Sequence, residues 1–304
     1  MGGVNMQDRE LMQAAAYLPV QLREILQRWS QGEHAACEEL RLRVGFPMTA
    51  VTAQGEVPMK TKALTVQQIQ DTVDRACEYS AHTFAANISQ GFLTVAGGHR
   101  IGICGDAVWE NGSIRSFRSI SSINIRIARQ LRGIVPKEMI ERIRSGGQLR
   151  NTLIFSPPRY GKTTLLRDVI VRLSECGYRI GIADERGELA ALYRGQPQFA
   201  IGSHTDVITG CPKSEAAIML VKTMSPDAIV LDEITSEQDI QAALYCTHCG
   251  AAVFASAHAS DLTDFETRPL YRKIYHSKAF SLYFEICKNR TVQLRKDMQE
   301  ERIC

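Results

Sequence analysis

Apolar residues at positions 22, 25, 26 and 29 fall on one helical face and predict a helix over 19–29. The stretch Glu39-Leu40-Arg41-Leu42-Arg43-Val44 alternates as a half-buried strand does, and Gly45 and Pro47 end it. Thr65 is placed to cap a second helix, with apolar positions 66, 69, 73, 76 and 77, predicted to reach Tyr79. Phe92–Val95 and Ile101–Ile103 flank Ala96-Gly97-Gly98-His99-Arg100, which reads as a strand, a glycine turn and a return strand. Ile123-Asn124-Ile125-Arg126-Ile127 alternates again. These elements predict a smaller mixed α+β domain.

Beyond residue 150 the pattern changes. Continuous apolar runs recur at Thr152–Phe155, Arg179–Ala183, Ala228–Leu231 and Ala252–Ala257. Helix-compatible segments lie at Thr163–Cys176, Lys213–Met224 and Glu237–Tyr245. Strands apolar on both faces, separated by helices, predict an α/β domain with a mostly parallel sheet, whose ligands sit beyond the carboxyl ends of the strands. Ser145-Gly146-Gly147 is the expected hinge. The division expected is 1–140 for the α+β domain with its basic connecting segment, and 141–304 for the second domain.

Composition excludes fibrous and disordered classes: 44% of the 304 residues are hydrophobic and 23% are charged. The longest weakly polar stretch, Ala242–Ala257, is interrupted by Thr247 and His248 and is too short for a membrane span. Asp8, Arg9 and Glu10 precede any apolar run, unlike an export signal, so a cytoplasmic protein is expected. The nine cysteines then read as free thiols. Cys246 and Cys249 have CxxC spacing around His248, which admits a metal, but no second pair lies nearby to complete a zinc site. Between Arg115 and Arg150 stand nine Lys or Arg against Glu138 and Glu141, whereas the whole chain carries only +3. Such a segment attracts phosphates, a membrane surface or an acidic partner, or else is a solvated linker face. Its single aromatic residue, Phe117, argues against a platform for nucleic-acid bases.

The chemistry gathers at the expected strand ends. Ser156-Pro157-Pro158-Arg159-Tyr160-Gly161-Lys162-Thr163-Thr164 links a strand to a helix, as a phosphate-binding P-loop does. Backbone amides and the helix N-terminus would cradle the phosphates of ATP; Lys162 would reach the β- and γ-phosphates, and the Thr163 hydroxyl would ligate Mg²⁺. Ser156 stands where the pattern has glycine, which is compatible with a tight turn if φ stays negative. The strand 228–231 ends in Asp232 and Glu233, suited respectively to hold Mg²⁺ and to polarise an attacking water. Glu233 is the first candidate for general base and Glu188 the second. Asp184, Glu185 and Glu188 follow another strand, where carboxylates orient water, bind metal, pair with an arginine or simply face solvent. His258 ends the strand 252–257, as a sensor of the γ-phosphate or as a capping histidine.

Taken together these blocks resemble the stage III sporulation protein AA family, P-loop ATPases of endospore-forming bacteria similar to type II secretion and type IV pilus motors. The resemblance rests on Glu39–Gly45, Gly91–Gly102 and Asn124–Ala128 in the first half. In the second it rests on Ser156-Pro157-Pro158 with Gly161–Asp168, and on Asp184-Glu185-Arg186, Thr205–Val207, Cys211-Pro212-Lys213 and Met224–Asp227. It implies a RecA/AAA-like P-loop domain, serine at position 156, an acidic box at Asp184, Glu185 and Glu188, and a histidine box over Gly250–His258. It also implies a hexameric ring, with Arg126 and Arg129 as candidates to contact nucleotide. The implied partners are membrane proteins of a sporulation channel, and the implied place is the mother cell, peripheral at the forespore-facing membrane; a nucleotide-gated scaffold or a nucleic-acid-binding P-loop protein without motor activity is the alternative reading. Arg159, Tyr160, Thr235, Ser236 and Ser256 depart from the family's usual residues.

Overall fold

The computed structural model describes residues 6–78, 91–110 and 112–298. The chain divides into one unit of Met1–Arg129 with Tyr193–Gln198, and a second of Gln130–Leu192 with Phe199–Cys304. Residue 140, where the sequence reading ends its first domain, lies within helix Lys137–Ile143 of the second unit.

In the first unit the alternation over 39–43 becomes β1 (Glu39–Arg43), with Leu40 and Leu42 fully buried and Glu39, Arg41 and Arg43 on the other face. It lies in an antiparallel sheet with β2 (Thr49–Thr52), β3 (Gly55–Pro58), β4 (Phe92–Thr94), β5 (Arg100–Glu110) and β6 (Ser113–Arg126), in the order β3-β2-β1-β6-β5-β4. Helices α1 (Met6–Ala15), α2 (Val20–Gln27), α3 (Gln31–Ala36) and α4 (Val66–Ala76) belong to this unit. Leu11, Leu22, Leu26, Ile69 and Val73 share a core with Leu42, Ile101 and Ile125 of the strands. Thr65 caps α4 as expected, through a capping box with Gln68; the helix ends at Ala76, and its expected end at Tyr79 lies outside the described residues.

The expected short hairpin forms, with Leu93 opposite Ile101, but β5 and β6 run much further than the apolar pattern indicates. Two causes hid this. Register shifts interrupt the ladder at three places, and most of β5 beyond Ile103 faces solvent, so no period of two survives in the sequence. At one shift the backbones approach so closely that a Cβ on Gly105 would lie 2.0 Å from the Ser119 carbonyl.

The second unit has the mostly parallel sheet expected. Its strands are β7 (Thr152–Phe155), β8 (Ile180–Asp184), β11 (Thr205–Thr209), β12 (Ala228–Leu231), β13 (Ala252–Ala257), β14 (Leu282–Ile286) and β15 (Val292–Asp297), ordered β11-β8-β12-β13-β7-β14-β15. Only the β14–β15 pairing is antiparallel. In chain order a small hairpin of β9 (Leu192–Tyr193) and β10 (Gln196–Pro197) precedes β11; from Tyr193 on it is counted with the first unit. The helices are α5 (Lys137–Ile143), α6 (Lys162–Glu175), α7 (Lys213–Met224), α8 (Glu237–His248), α9 (Asp264–Thr267) and α10 (Pro269–Ser277). Alternate strand residues enter two different cores: Leu153 and Phe155 pack with Phe265 and Tyr283, while Ile154 packs with Leu166, Val169 and Phe254. Burial on both faces is why these strands read as unbroken apolar runs. The reading did not identify β11, β14, β15 or the helices after His258.

The basic stretch 115–150 is divided between the two units. Arg129 is half-buried in the first unit, whereas Arg150 of the second is 7% exposed and paired with buried Asp297.

Candidate active site

The carboxyl ends of β7, β8, β12 and β13 converge, because four adjacent parallel strands must end on the same edge of the sheet. From β7 the chain enters Ser156, which is fully buried and donates its amide to the Ala257 carbonyl at 3.3 Å. Ser156 does not take a positive φ, so this first loop position needs no glycine. Arg159 (φ 68°) and Gly161 (φ 99°) do. For arginine that conformation costs ~1–2 kcal/mol. Pro157 and Pro158 have no amide hydrogen. Among the described residues, the amides of Arg159, Tyr160, Gly161, Lys162, Thr163 and Thr164 donate to no protein acceptor. Left-handed residues within such a run turn successive N–H groups to one side, and the first turn of α6 adds its own unpaired donors. Chemically this is a nest for an anion with several oxygens. The Arg159 side chain is exposed, and Tyr160 packs against the core beside α6.

Lys162 is 5% exposed and donates to the Ser156 carbonyl at 2.9 Å and the Pro157 carbonyl at 3.1 Å. Burial pulls its pKa down to about 8, with Glu233 opposing the shift. Its ammonium therefore lies folded against the loop it would serve.

Beyond β12, Asp232 is 6% exposed and its Oδ1 accepts the Glu233 amide at 2.6 Å. Burial raises its pKa to about 6, partly offset by Lys213. The Ser256 hydroxyl donates to the Asp232 carbonyl, and the Ile234 amide donates to the Ser256 carbonyl at 2.9 Å, so the ends of β12 and β13 are tied together. Glu233 Oε1 lies 3.3 Å from His258 Nδ1. His258 is held from behind: its carbonyl accepts from the Tyr271 hydroxyl at 2.9 Å and from Arg268 at 3.2 Å. Burial first, then Lys162, pushes the imidazole below its ordinary pKa.

The turn after β8 is organised by Asp184. Its fully buried carboxylate accepts the amides of Glu188 (2.7 Å), Leu189 (3.1 Å) and Ala190 (2.8 Å). Arg167 of α6 closes the turn from the other side, donating to the Leu189 carbonyl at 2.8 Å and the Glu188 carbonyl at 2.6 Å, with Phe199 stacked 3.9 Å from its guanidinium. Asp184 and Arg167 thus position Glu188, while Glu185 turns to Lys213 at 3.2 Å.

One cleft is lined by Thr163, Glu188, Asp232 and Glu233, together with Arg186, Lys213 and Thr235. It adjoins the loop of Ser156–Thr164, and His258 reaches it through Glu233. Arg126 and Arg129 belong to the first unit. Arg126 is exposed there, whereas Arg129 donates to the His34 carbonyl at 2.9 Å and lies 3.4 Å from Glu10. A hydroxyl and a carboxylate in one cleft beside an anion nest are the donor set for a hard cation such as Mg²⁺ on a phosphate. Of the pair with CxxC spacing, Cys246 is buried and Cys249 exposed.

Sequence reasoning assigned no role to Lys213, Arg167 or Asp168. Asp168 accepts the amides of Gly133, Ile134 and Val135 at 2.7–3.0 Å, fastening the entry of the second unit to α6. The local signal was charge within the apolar middle of α6: Arg167 and Asp168 sit among Leu165, Leu166 and Val169, where a partner is required.

Known proteins share both the sequence and the architecture. The profile of the family described as "Sporulation stage III, protein AA" matches residues 7–296. Stage III sporulation protein AA of Bacillus subtilis (strain 168) is 35% identical over 280 residues, covering 90% of each chain. The pilus retraction motor PilT with bound ADP superposes with a TM-score of 0.59 at 15% identity, over 90% of this chain and 80% of that one. The Legionella pneumophila ATPase DotB superposes with a TM-score of 0.57 at 16% identity, over 91% and 79%. At such identities the two structures establish a common fold and no more. With the profile spanning nearly the whole chain, this protein belongs to the sporulation stage III protein AA family.

Proposed function

We propose that this chain is a Mg²⁺-dependent ATPase that binds ATP on the loop Ser156–Thr164 and works as a motor subunit of a sporulation-associated, secretion-like channel. The observation that carries the reading is the run of unpaired amides from Arg159 to Thr164 opening beside a cleft that holds both Thr163 and Asp232. Thr163 and Asp232 would hold the Mg²⁺, which supplies charge neutralisation on the β- and γ-phosphates. Lys162 exchanges the carbonyls of Ser156 and Pro157 for phosphate oxygens. Glu233 is the first candidate to take the proton from an attacking water, with His258 Nδ1 orienting its carboxylate at 3.3 Å. Glu188 is the second candidate. Glu185 serves through its ion pair with Lys213.

The rest of the proposal extends from the family. Subunits assemble as a hexameric ring, peripheral to the mother-cell face of the forespore membrane, against membrane proteins of the channel. Arg126, being exposed, is better suited than Arg129 to meet the nucleotide of a neighbouring subunit, because Arg129 is already committed to Glu10 and the His34 carbonyl.

The test is phosphate release from ATP by the purified full-length chain. Lys162→Ala should weaken nucleotide binding at least ~100-fold and abolish turnover, since it removes the charge-assisted contact to the phosphates. Binding without turnover, with any partner or at any concentration, would make the protein a nucleotide-gated scaffold. Calorimetry with no heat from Mg²⁺ and ATP would end the nucleotide reading.

A further inference from the structure

Lys213 occupies a position that local physics disfavours three times over. It is the first residue of α7, where the helix macrodipole is positive and repels a cation. It is 4% exposed, so its ammonium has lost nearly all of its water. Pro212 before it offers no side-chain cap. Three carboxylates from three different elements offset these costs. Glu185 Oε2 from the turn after β8 lies at 3.2 Å, Asp232 Oδ1 from the end of β12 at 3.4 Å, and Asp239 Oδ2 from the first turn of α8 at 3.9 Å. The Thr235 hydroxyl adds a fourth oxygen at 3.4 Å.

The arrangement at Asp232 is asymmetric. Lys213 and the Glu233 amide both bind Oδ1, whereas Oδ2 makes no hydrogen bond among the described residues. A carboxylate clamped through one oxygen has a fixed rotamer and a fixed orientation for the other. Asp239 is clamped as well, since its Oδ2 also accepts the amides of Thr235 (2.9 Å) and Ser236 (3.0 Å), which hold the chain between β12 and α8. Lys213 lines the same cleft as Thr163 and Asp232.

From this geometry we infer that Lys213 is a positioning residue for the metal: by holding Asp232 Oδ1 it fixes the carboxylate and leaves Oδ2 available to the cation. The inference rests on the nucleotide reading above and assigns Lys213 a role distinct from that of Lys162. Lys162 acts on phosphate, with or without a metal. Lys213 acts only through Asp232, so its loss should be felt only when Mg²⁺ is present.

The experiment measures binding of a fluorescent mant-AMPPNP to the full-length chain, once with Mg²⁺ and once with EDTA. The ratio of the two dissociation constants is the metal increment. Lys213→Met should leave the EDTA affinity within twofold of the parent and cut the metal increment at least fivefold, while a thermal melt shows the variant folded. Lys213→Gln, which keeps a hydrogen-bond donor without the charge, is read in the same way should the Met variant not fold. A folded Met or Gln variant whose increment stays within twofold of the parent overturns the inference and leaves the nucleotide reading standing. An equal loss in both buffers also overturns it, since that marks a merely structural ion pair. A parent chain that binds no analogue in either buffer removes both readings.

Discussion

In the second unit, β7, β8, β12 and β13 are covered on both faces, and their polar groups are driven to the strand ends. In the first, β1 alternates Leu40 and Leu42 inward with Glu39, Arg41 and Arg43 outward, so charge is spread along an open face. The difference decides where chemistry can occur. A charge on an open face keeps its water and interacts weakly. Lys162, Asp184, Lys213 and Asp232 have lost theirs, and must find partners or a ligand. The same number of ionic contacts therefore carries very different energies in the two units.

The sharpest way to break this contrast is the buried pair of Arg150 with Asp297, where Nη1 meets Oδ2 at 2.8 Å and both residues are over nine-tenths buried. Asp297→Ala leaves the Arg150 guanidinium uncompensated and should destabilise the second unit by ~3–5 kcal/mol in denaturant unfolding. A loss under ~1 kcal/mol would mean that water reaches the pair and that burial is not what distinguishes the units.

A strongly perturbed histidine in the first unit's core provides the next test. His99 is fully buried, its Nδ1 accepts the Ala128 amide at 3.0 Å, and burial, followed by Arg129, lowers its pKa from 6.5 to about 4. The unfolded chain binds this proton more readily than the folded one. Stability is thus complete above pH 6.5 and lost as pH falls from 6.5 through about 4, by ~3 kcal/mol at pH 4. His99→Gln should flatten unfolding free energy between pH 6.5 and 5, and parallel pH profiles for parent and variant would reject this origin.

The smallest effect belongs to the open face. Hydrogen bonds from Arg43 and Thr49 hold the Glu56 carboxyl down at about 2, yet both members of the Arg43–Glu56 pair are 37% exposed. Solvent screening leaves Glu56→Ala worth under ~1 kcal/mol, and raising the salt concentration should erase most of it. An effect as large as that of Asp297→Ala would remove the distinction altogether.

Much of the second unit was legible because one physical cause wrote both the sequence and the structure. Two-sided burial demands runs such as Ala228–Leu231, and the residue after such a run is the first that can be polar, which is why Ser156, Asp232 and Asp184 stand out in the chain. The place of the loop Ser156–Thr164 between a strand and a helix, and that of the carboxylates after β8 and β12, were legible for this reason. Exposed β5 and β6 were not, since solvent imposes no period and each bulge resets the phase. Lys213 was equally hidden: a lysine opening a helix looks like a solvated one until three distant carboxylates are seen to surround it.

Read by itself, the chain determined the parallel α/β unit and the places in it of the loop Ser156–Thr164 and of Asp232 and Glu233 at a strand end, because backbone periodicity and turn chemistry act over a few residues. Only the folded structure decided that Asp184 positions the acidic turn while Glu188 lines the cleft, that Arg129 is spent internally, and that Lys213 meets Asp232. Those outcomes depend on which strands lie side by side, and electrostatic partnership between residues far apart in sequence arises only once the sheet has brought them together and removed the water between them.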